Sequence, residues 1–426
     1  MTAKAAALPV AASGGAPSLV LCLVLLWLGG ACLRLTILAP PPVISLIHAE
    51  LQLSETQIGL LSGIPAALFA CAAVPGALFI ARFGALATLV FGIVCTGAGS
   101  ALRGAAPDAA FLYAATALTG FGVAVMQPAL PSLVRAWLPE RTAFATAVYI
   151  NGLLLGEVLP VALTVPVLLP LVGSWRMAFV VWGVLCALVG AVILLLAPRP
   201  AALPSALPKA LPNTSSAGTA PPRRWWPDWR CALTWRLGIM MGSVNATYFA
   251  TNFFLPRYLH AMGQEEVTGP ALVALNVGQI PASILLLFVS GQLVRRIWPY
   301  VASAVLCLVA LGCIVFGQGA AVVAGAGLVG FAAATVLILM LALPPRLSPP
   351  DDVHRMTAAM LTIGYTCALI VPVLSGLAWD LSGVSAMAFA PIALCAIVLT
   401  GCAFASRSRL ARASAPAAPQ PHRLPT

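Results

Sequence analysis

Charged residues are scarce in this sequence. They account for 8% of its 426 residues, whereas about a quarter of the residues of a soluble domain are charged. Hydrophobic residues account for 61%, and the mean hydropathy is +1.02. A chain with so few charges cannot cover a soluble globule with polar groups. The composition therefore excludes a soluble protein and predicts one that crosses a membrane many times.

The sequence also lacks the residue clusters on which enzyme and metal chemistry usually depends. No two of its eleven cysteines form a Cys-x-x-Cys pair, and its four histidines are scattered without metal-binding spacing. The glycine-rich runs are not followed by the lysine of a phosphate-binding loop, and no Ser/His/Asp arrangement is recognisable. We therefore expect neither an enzyme nor a cofactor or metal, and ATP is not the expected energy source.

Lysine is nearly absent, since Lys4 and Lys209 are the only lysines among 22 basic residues. The net charge of +11 could indicate binding to nucleic acid. However, the arginines lie between apolar runs, where they would face lipid headgroups. We therefore expect a lipid bilayer as the partner and no nucleic acid. The preference for arginine, with abundant alanine, glycine and proline, suggests a bacterial source and hence the bacterial cytoplasmic (inner) membrane.

The distribution of basic residues predicts the orientation in that membrane. If the N-terminus is cytoplasmic, all but four of the 22 basic residues lie on the cytoplasmic side. The exceptions are Arg103, Arg176 and Arg257, expected outside, and Arg34, expected within the membrane. Because cytoplasmic loops are enriched in Lys and Arg, we expect both termini in the cytoplasm.

Apolar runs long enough to cross a bilayer as helices occur twelve times. The predicted spans are 18–45, 57–80, 86–103, 109–134, 142–168 and 175–197 in the first half, and 234–258, 268–293, 298–317, 320–344, 354–379 and 384–405 in the second. The predicted units are a disordered tail at 1–17, a six-helix bundle at 18–197, a proline-rich cytoplasmic linker at 198–232, a second bundle at 233–405 and a disordered basic tail at 406–426. The predicted fold class is an all-α membrane protein with twelve transmembrane helices in two pseudo-symmetric six-helix bundles.

The two halves share short sequence fragments. Gly120-Phe121 in predicted span 4 recurs as Gly330-Phe331 in span 10, and Val158-Leu-Pro-Val161 in span 5 matches Ile370-Val-Pro-Val373 in span 11. A parallel repeat of six-span halves is typical of transporters that bind their solute between the halves, near the bilayer midplane.

Arg34 is the only charged residue in predicted span 1. A charge deep in the hydrocarbon costs at least ~3 kcal/mol and is tolerated where it faces the protein interior or an aqueous cavity. We interpret Arg34 as a cation that binds solute or is linked to a gate. A structural ion pair, a carbonyl clamp and a side chain that snorkels to the interface are the alternatives.

Glu157 is the only carboxylate well inside a predicted span. Burial disfavours the charged form of a carboxyl group, so Glu157 could take up a proton. We expect a coupling role as a proton carrier or as the partner of Arg34. The alternative is a hydrogen-bonded residue in helix packing.

Fragments spread over nearly the whole chain resemble one transporter family in their order and spacing. They are Leu33-Arg34, Leu53–Gly59, Ala81–Gly84, Leu163–Pro166, Ser174–Arg176, Phe254–Leu259 and the set Gly364, Tyr365, Pro372, Gly376, Asp380 and Gly383. Together they resemble the major facilitator superfamily and, within it, the cyanate and nitroimidazole transporter family. The resemblance implies the two-bundle fold, a small-molecule solute and a cytoplasmic gate at Arg82, Arg295 and Arg296.

Three features depart from the family pattern. Ala81 stands where the superfamily usually has an acidic residue before the arginine, which weakens the expected gate. Three consecutive prolines at 40–42 are expected to bend or shorten span 1. Glu157 falls where a small apolar residue is expected. Because of these departures, cyanate is not carried over as the substrate.

Polar side chains recur in the spans that line the cavity in this superfamily. As a set they predict a wet cavity, although helix packing is the alternative for each single residue. The expected solute-binding residues are Arg34, Gln127, Tyr149, Asn151, Asn245, Asn252 and Tyr365; Tyr248, Asn276 and Gln279 belong to the same polar set. Near the outer face, Arg176 and Arg257 could guide an anion inward or clamp helix ends.

The expected function is that of a secondary active transporter, monomeric, that moves a small anionic or dipolar solute by alternating access, with proton coupling as an open option. A polyspecific drug-efflux pump is one alternative, and Arg34 argues against a preference for cations. A non-transporting membrane sensor or assembly factor is the other, and it would be expected to have an appended soluble domain.

Overall fold

The computed structural model of the protein describes residues 18–71, 73–198, 229–294, 296–347 and 353–407. Almost all of these residues are helical, and no strand occurs among them. The predicted N-terminal tail, most of the predicted linker and nearly all of the predicted C-terminal tail lie outside the described residues.

The helices fall into two sets, one before and one after the predicted linker. The first set is α1 (Leu19–Cys32), α2 (Ile44–Leu51), α3 (Glu55–Cys71), α4 (Ala73–Phe83), α5 (Ala85–Gly104), α6 (Ala109–Met126), α7 (Ala129–Trp137), α8 (Thr142–Leu163), α9 (Leu169–Val172) and α10 (Trp175–Leu196). The second set is α11 (Ala232–Ala261), α12 (Thr268–Val277), α13 (Gln279–Leu293), α14 (Trp298–Phe316), α15 (Ala320–Leu341), α16 (Pro344–Leu347), α17 (Val353–Ser382) and α18 (Ala390–Ala405). A π-helical segment, Thr164–Leu168, joins α8 to α9.

Each set packs mainly within itself. In the first half, α5 packs against α6 and α10, and α1 packs against α8. In the second half, α11 packs against α17 and α18, and α14 packs against α15. Between the halves, the main contacts are those of α3 with α17 and of α8 with α12. The halves therefore meet along two helix pairs.

Nine helices in the described part of the chain are long and apolar enough to cross a membrane. The other three predicted spans are 1, 2 and 7. Span 1 is interrupted, and span 2 is described on either side of residue 72, as α3 and α4. Span 7 is the 30-residue helix α11, which contains Asn and Arg side chains and is buried over most of its length. A helix surrounded by protein has less need of an apolar surface than one that faces lipid.

Span 1 is not one continuous helix, in agreement with the expectation that the prolines at 40–42 bend or shorten it. Helix α1 ends at Cys32, residues 33–40 form turns, and a 3₁₀ segment, Pro41–Val43, leads into α2. The three prolines at 40–42 have no N–H group to continue the helical hydrogen bonds. The carbonyl groups four residues earlier, those of Thr36, Ile37 and Leu38, consequently lack their helical donors. Arg34 lies at the start of this break.

Two glycines of α8 allow α1 to approach closely. A Cβ atom on Gly152 would overlap the Trp27 carbonyl, and a Cβ atom on Gly156 would overlap the Ala31 carbonyl. Small residues are common where transmembrane helices cross at short distance. The close crossing brings the end of α1, and hence Arg34, to the level of residue 157 in α8.

Candidate functional site

Arg34 and Glu157 form an ion pair inside the protein. The Arg34 Nε atom lies 3.3 Å from Glu157 Oε1, and the two side chains are only 15% and 4% exposed. Both residues belong to the first half, one at the break of span 1 and the other in α8. The sequence pointed to each residue and left a partnership with Arg34 as one of two roles for Glu157, but it could not show that the two side chains meet.

The second half contributes a direct partner to this pair. Gln279, the first residue of α13, donates a hydrogen bond of 2.7 Å from Nε2 to Glu157 Oε2. We call Arg34, Glu157 and Gln279 the central cluster. Because Gln279 belongs to the other half, the central cluster joins the two halves through a buried polar contact.

A chain of polar side chains extends this region within the second half. The Tyr248 hydroxyl donates to Asn276 Oδ1 at 2.6 Å, and Asn276 Nδ2 donates to Asn252 Oδ1 at 3.1 Å. Tyr248 also faces Glu157. All three members of the chain are buried, so they present a fixed polar wall beside the central cluster.

Aromatic rings enclose the Arg34 guanidinium. Its Cζ atom lies 5.6 Å from the ring centroid of Phe69 and 5.6 Å from that of Phe249. Tyr365 packs edge-on against Phe69 with centroids 5.3 Å apart. Cation–π contacts of this kind are strongest where water is excluded. The Nη1 atom of Arg34 is buried and has no hydrogen-bond partner, so one donor group of the guanidinium is left unsatisfied.

The other predicted binding residues lie apart from the central cluster. Asn245 is buried, and its Nδ2 atom has no partner. Asn151 accepts a hydrogen bond of 3.0 Å from Trp27 Nε1 within the first half. Gln127 is exposed and Tyr149 is half-buried. In the described part of the chain, none of these four residues hydrogen-bonds to Arg34 or Glu157.

The predicted cytoplasmic gate is only partly described. Arg82 is exposed and lies over the ring of Phe83, with 5.7 Å between its Cζ atom and the ring centroid. Arg296 is exposed, and Arg295 lies outside the described residues. No ion pair involves Arg82 or Arg296 within the ranges that the structure covers. The gate therefore stays a prediction.

A second charged cluster joins the halves at the end predicted to be extracellular. Arg257 Nη2 lies 2.9 Å from Glu55 Oε1 and 2.8 Å from His48 Nε2. Asp380 accepts hydrogen bonds from the backbone N–H groups of Glu55 and Thr56, at 3.0 and 2.8 Å. We call His48, Glu55, Arg257 and Asp380 the outer cluster. It involves α2, α3, α11 and α17, and so it links the two halves at this end of the protein.

The electrostatics of the outer cluster bring the titration of Glu55 close to neutral pH. Burial raises the pKa of the Glu55 carboxyl to about 7, although Arg257 acts in the opposite direction. The pKa of His48 is lowered by burial and by Arg257. One carboxylate oxygen of Glu55 is buried without a partner, so a proton there would relieve a desolvated charge.

The three arginines expected outside have different environments. Arg257 belongs to the outer cluster, and Arg176 forms an ion pair of 2.8 Å with Glu50. Both are therefore clamps, the second of the two roles left open by the sequence. Arg103 lies in the last turn of α5 and is only 1% exposed, so its side chain is buried in the protein, and its location on the outer side stays a prediction. It ends α5 with its side chain directed into the first half.

The sequence profile of the Major Facilitator Superfamily matches residues 26–320 of the chain.

The chain belongs to the Major Facilitator Superfamily.

Superfamily relatives of known sequence agree with this assignment. The chain is 26% identical to the 2-nitroimidazole transporter of Escherichia coli over 82% of its own length and 86% of that protein. It is 24% identical to the cyanate transport protein CynX of E. coli, covering 88% and 94% of the two chains. It is 27% identical to the uncharacterized transporter YycB of Bacillus subtilis, where the match spans 59% of this chain and 60% of that protein. The resemblance inferred from the sequence fragments is confirmed.

Solved structures of superfamily transporters share the fold. A peptide transporter superposes with a TM-score of 0.69 at 15% identity, covering 92% of this chain and 95% of that one. A bacterial homologue of the lysosomal transporter Spinster, in an inward-facing conformation, gives 0.66 at 16% identity, covering 94% and 96%. A D-xylose–proton symporter gives 0.65 at 14%, covering 89% and 97%. The chain is thus a multi-pass membrane transporter for a small-molecule solute, rather than an enzyme.

The sequence analysis did not identify several residues that lie in or beside the central and outer clusters. Phe69 and Phe249 lie in apolar spans, where an aromatic residue next to an arginine is indistinguishable from ordinary core. Glu55 was included only as part of the fragment Leu53–Gly59. A signal was available for Glu55, since carboxylates are so rare here that one near the outer arginine Arg257 deserved a pairing hypothesis.

The pKa of Glu55 predicts a pH dependence of stability. An exposed glutamate has a pKa of about 4.3, so the closed structure binds the Glu55 proton more tightly than an open or unfolded one. The stabilisation is present at low pH and is lost as the pH rises through about 7. In melting experiments, the stability of the wild type relative to Glu55→Gln should decrease from pH 5.5 to pH 8.

The comparison with Glu55→Gln also separates Glu55 from its neighbours. His48 acts in the opposite direction, because a lowered pKa means that its contribution is lost as the pH falls. Asp380, whose pKa is lowered, in spite of burial, by its hydrogen bonds to Thr56 and Glu55, stays charged throughout this range, and both Asp380 and Arg257 are common to the two proteins. Glu266→Gln, at an exposed position, should show no such change. A relative stability that increases with pH would mean that the ion pair with Arg257 outweighs burial.

Proposed function

We propose that the protein moves a small anionic or strongly dipolar solute across the bacterial cytoplasmic membrane by alternating access. Arg34 would bind the solute, and Glu157 would couple transport to a proton. The observation that supports this best is the unsatisfied Nη1 donor of Arg34, which is buried beside Glu157 at the contact between the halves. Solute sites between the halves are the rule for transporters built from two repeated bundles.

The shape and polarity of the surroundings favour a small, flat group. A planar guanidinium binds carboxylate-like groups through two parallel hydrogen bonds. Phe69 and Phe249 limit the space on either side of it. The E. coli relatives carry 2-nitroimidazole and cyanate by name, one a dipolar solute and the other a monoanion. Either class would suit this arrangement, with Asn245 and Tyr365 as further contacts.

Charge balance supports proton coupling for an anionic solute. The Arg34–Glu157 pair is neutral as a unit, so a monoanion bound to Arg34 leaves one uncompensated negative charge in a medium of low dielectric. Such a charge is strongly disfavoured. Protonation of Glu157 restores neutrality, which would link one proton to one monoanion. A neutral dipolar solute would bind without this requirement.

The closed outer end suggests which state of the transport cycle is present. The outer cluster seals the end predicted to be extracellular, and the furthest cross-half hydrogen bond from it is that of Thr362 Oγ1 to the Ala70 carbonyl, at 3.5 Å. We infer an inward-facing state of a monomer. In the outward-facing state the outer cluster would separate, and Arg82, Arg295 and Arg296 would take part in a cytoplasmic gate.

The first test of the proposed site is Arg34→Lys. Lysine keeps the charge but loses the planar fork, so uptake of a small monoanion into proteoliposomes should have a KM raised about tenfold or more. Arg34→Ala should abolish uptake. A panel of cyanate, nitrate, formate and acetate, with and without a pH gradient, would identify a transported probe. Arg135→Lys, at an exposed position, is the matched control. Normal affinity in a well-folded Arg34→Ala variant would contradict the proposed role.

The second test is Glu157→Gln. Loss of the titrating group should abolish the response of monoanion uptake to a proton gradient, while exchange of the same anion across the membrane persists. Because Arg34 loses its charged partner, the variant should also melt at a lower temperature; breaking a buried pair typically costs about 3–5 kcal/mol. Glu266→Gln should change neither property. An uptake that still follows the pH gradient would remove Glu157 from the coupling step.

The proposed orientation, with both termini and the linker in the cytoplasm, has its own test. In a background without the native cysteines, an impermeant thiol reagent added to intact cells should label Glu266→Cys and not Ser216→Cys. Permeabilised cells should show labelling at both positions. External labelling of Ser216→Cys would overturn the orientation.

A further inference from the structure

Arg103 is the largest fully buried side chain in the described structure. It is 1% exposed, and no acidic side chain in the described ranges lies within ion-pair distance of it. A buried cation without a counter-ion is costly unless hydrogen bonds take up its donors. The acceptors that Arg103 contacts should therefore explain why it is there.

Two hydrogen bonds hold the guanidinium. Nη1 donates to the backbone carbonyl of Thr36 at 2.7 Å, and Nε donates to the Thr116 hydroxyl at 3.0 Å. The Phe179 ring lies 6.0 Å from its Cζ atom. Arg103 thus connects three elements of the first half: the break of span 1, the end of α5, and α6.

The Thr36 carbonyl has a specific reason to need an outside donor. In a continuous helix its partner would be the N–H group of residue 40, and residue 40 is Pro40, which has none. A buried carbonyl without a partner is destabilising by about 1–3 kcal/mol. The Arg103 guanidinium occupies the place of the missing amide donor.

The break and the proposed solute site are directly continuous. Arg34 lies two residues before Thr36, and its own carbonyl accepts hydrogen bonds from the backbone N–H groups of Ile37 and Leu38, at 3.0 and 3.1 Å. A shift of the Thr36 peptide would therefore move the backbone that carries Arg34. Since Arg34 must align with Glu157, a small displacement would weaken the site.

We propose that Arg103 is a positioning residue that substitutes for the amide missing at Pro40 and thereby holds Arg34 in its binding position. Its partners all lie in the first half, so the clamp moves with that half when the halves rock. The part that concerns solute binding rests on the proposed function; the part that concerns the Thr36 carbonyl does not.

The clamp is tested by a double-mutant cycle on the purified protein without solute. Arg103→Met leaves the Thr36 carbonyl unpaired and should lower the melting temperature by several degrees. Pro40→Ala supplies an N–H group at residue 40, so the loss caused by Arg103→Met should be smaller in the Pro40→Ala background. Pro42→Ala is the matched control, because its N–H group would face the Leu38 carbonyl and not that of Thr36. The effects of Arg103→Met and Pro42→Ala on the melting temperature should therefore be additive.

Uptake of the monoanion probe tests the positioning role. Arg103→Met should raise KM about tenfold or more with a smaller change in maximal rate, and Pro40→Ala should restore much of the affinity. Arg103→Lys can reach one acceptor but not both, so its KM should lie between those of the wild type and Arg103→Met. This variant replaces Arg103→Met in the test if Arg103→Met does not fold. If Arg103 has a purely structural role, the folded fraction of the Arg103 variant should have the same KM as the wild type.

The two measurements fail in distinguishable ways. A coupled melting cycle with no transported probe in the wild type would contradict the proposed function and leave the clamp standing. The clamp would be overturned if Arg103→Met and Pro40→Ala have additive effects on the melting temperature. If Arg103→Met does not fold, the same criterion applies to Arg103→Lys and Pro40→Ala. Coupled melting with an unchanged KM would overturn the positioning of Arg34.

Discussion

The ion pair between Arg34 and Glu157 is the interaction on which the rest of the architecture depends. A buried salt bridge is weak evidence for stability, because the desolvation of two charges can exceed their attraction. This pair nevertheless lies at the contact between the halves, 3.3 Å apart, in a chain that otherwise avoids charge. Its formation requires the break after Cys32, the close crossing of α1 and α8 at Gly152 and Gly156, and a partner from the other half.

The hydrogen bond from Gln279 makes the charge state of the Arg34–Glu157 pair depend on residues from both halves. Gln279 Nε2 donates to the same carboxylate that balances Arg34, so a proton on Glu157 would change a contact between the halves as well as the charge of the site. The outer cluster is a second cross-half contact at a different depth, built around Arg257 and Glu55. Two sets of charges therefore lie where the halves meet, and under the proposed function they would connect the movement of the halves with the binding of solute and protons.

The sequence predicts the fold class and the two charges of the site, because isolated charges in long apolar runs are conspicuous and chemically costly. It could not show that Arg34 meets Glu157, since the register between two helices depends on where glycines let them approach. It could not show that the Arg103 side chain is buried, because a residue at the end of an apolar run can face either the loop or the interior. The prolines at 40–42 were noticed as a disturbance, but their orphaned carbonyl acquires a meaning only once Arg103 is seen beside it.

The measurement that tests the central claim most directly is the location of a bound anion in a crystal of the complex. Selenocyanate is a small linear monoanion whose selenium gives an anomalous signal. The account predicts an anomalous peak beside the Arg34 guanidinium, between Phe69 and Phe249, that is lost in Arg34→Lys. A peak confined to the outer arginines Arg176 and Arg257, or one that persists beside residue 34 after the substitution, would contradict it.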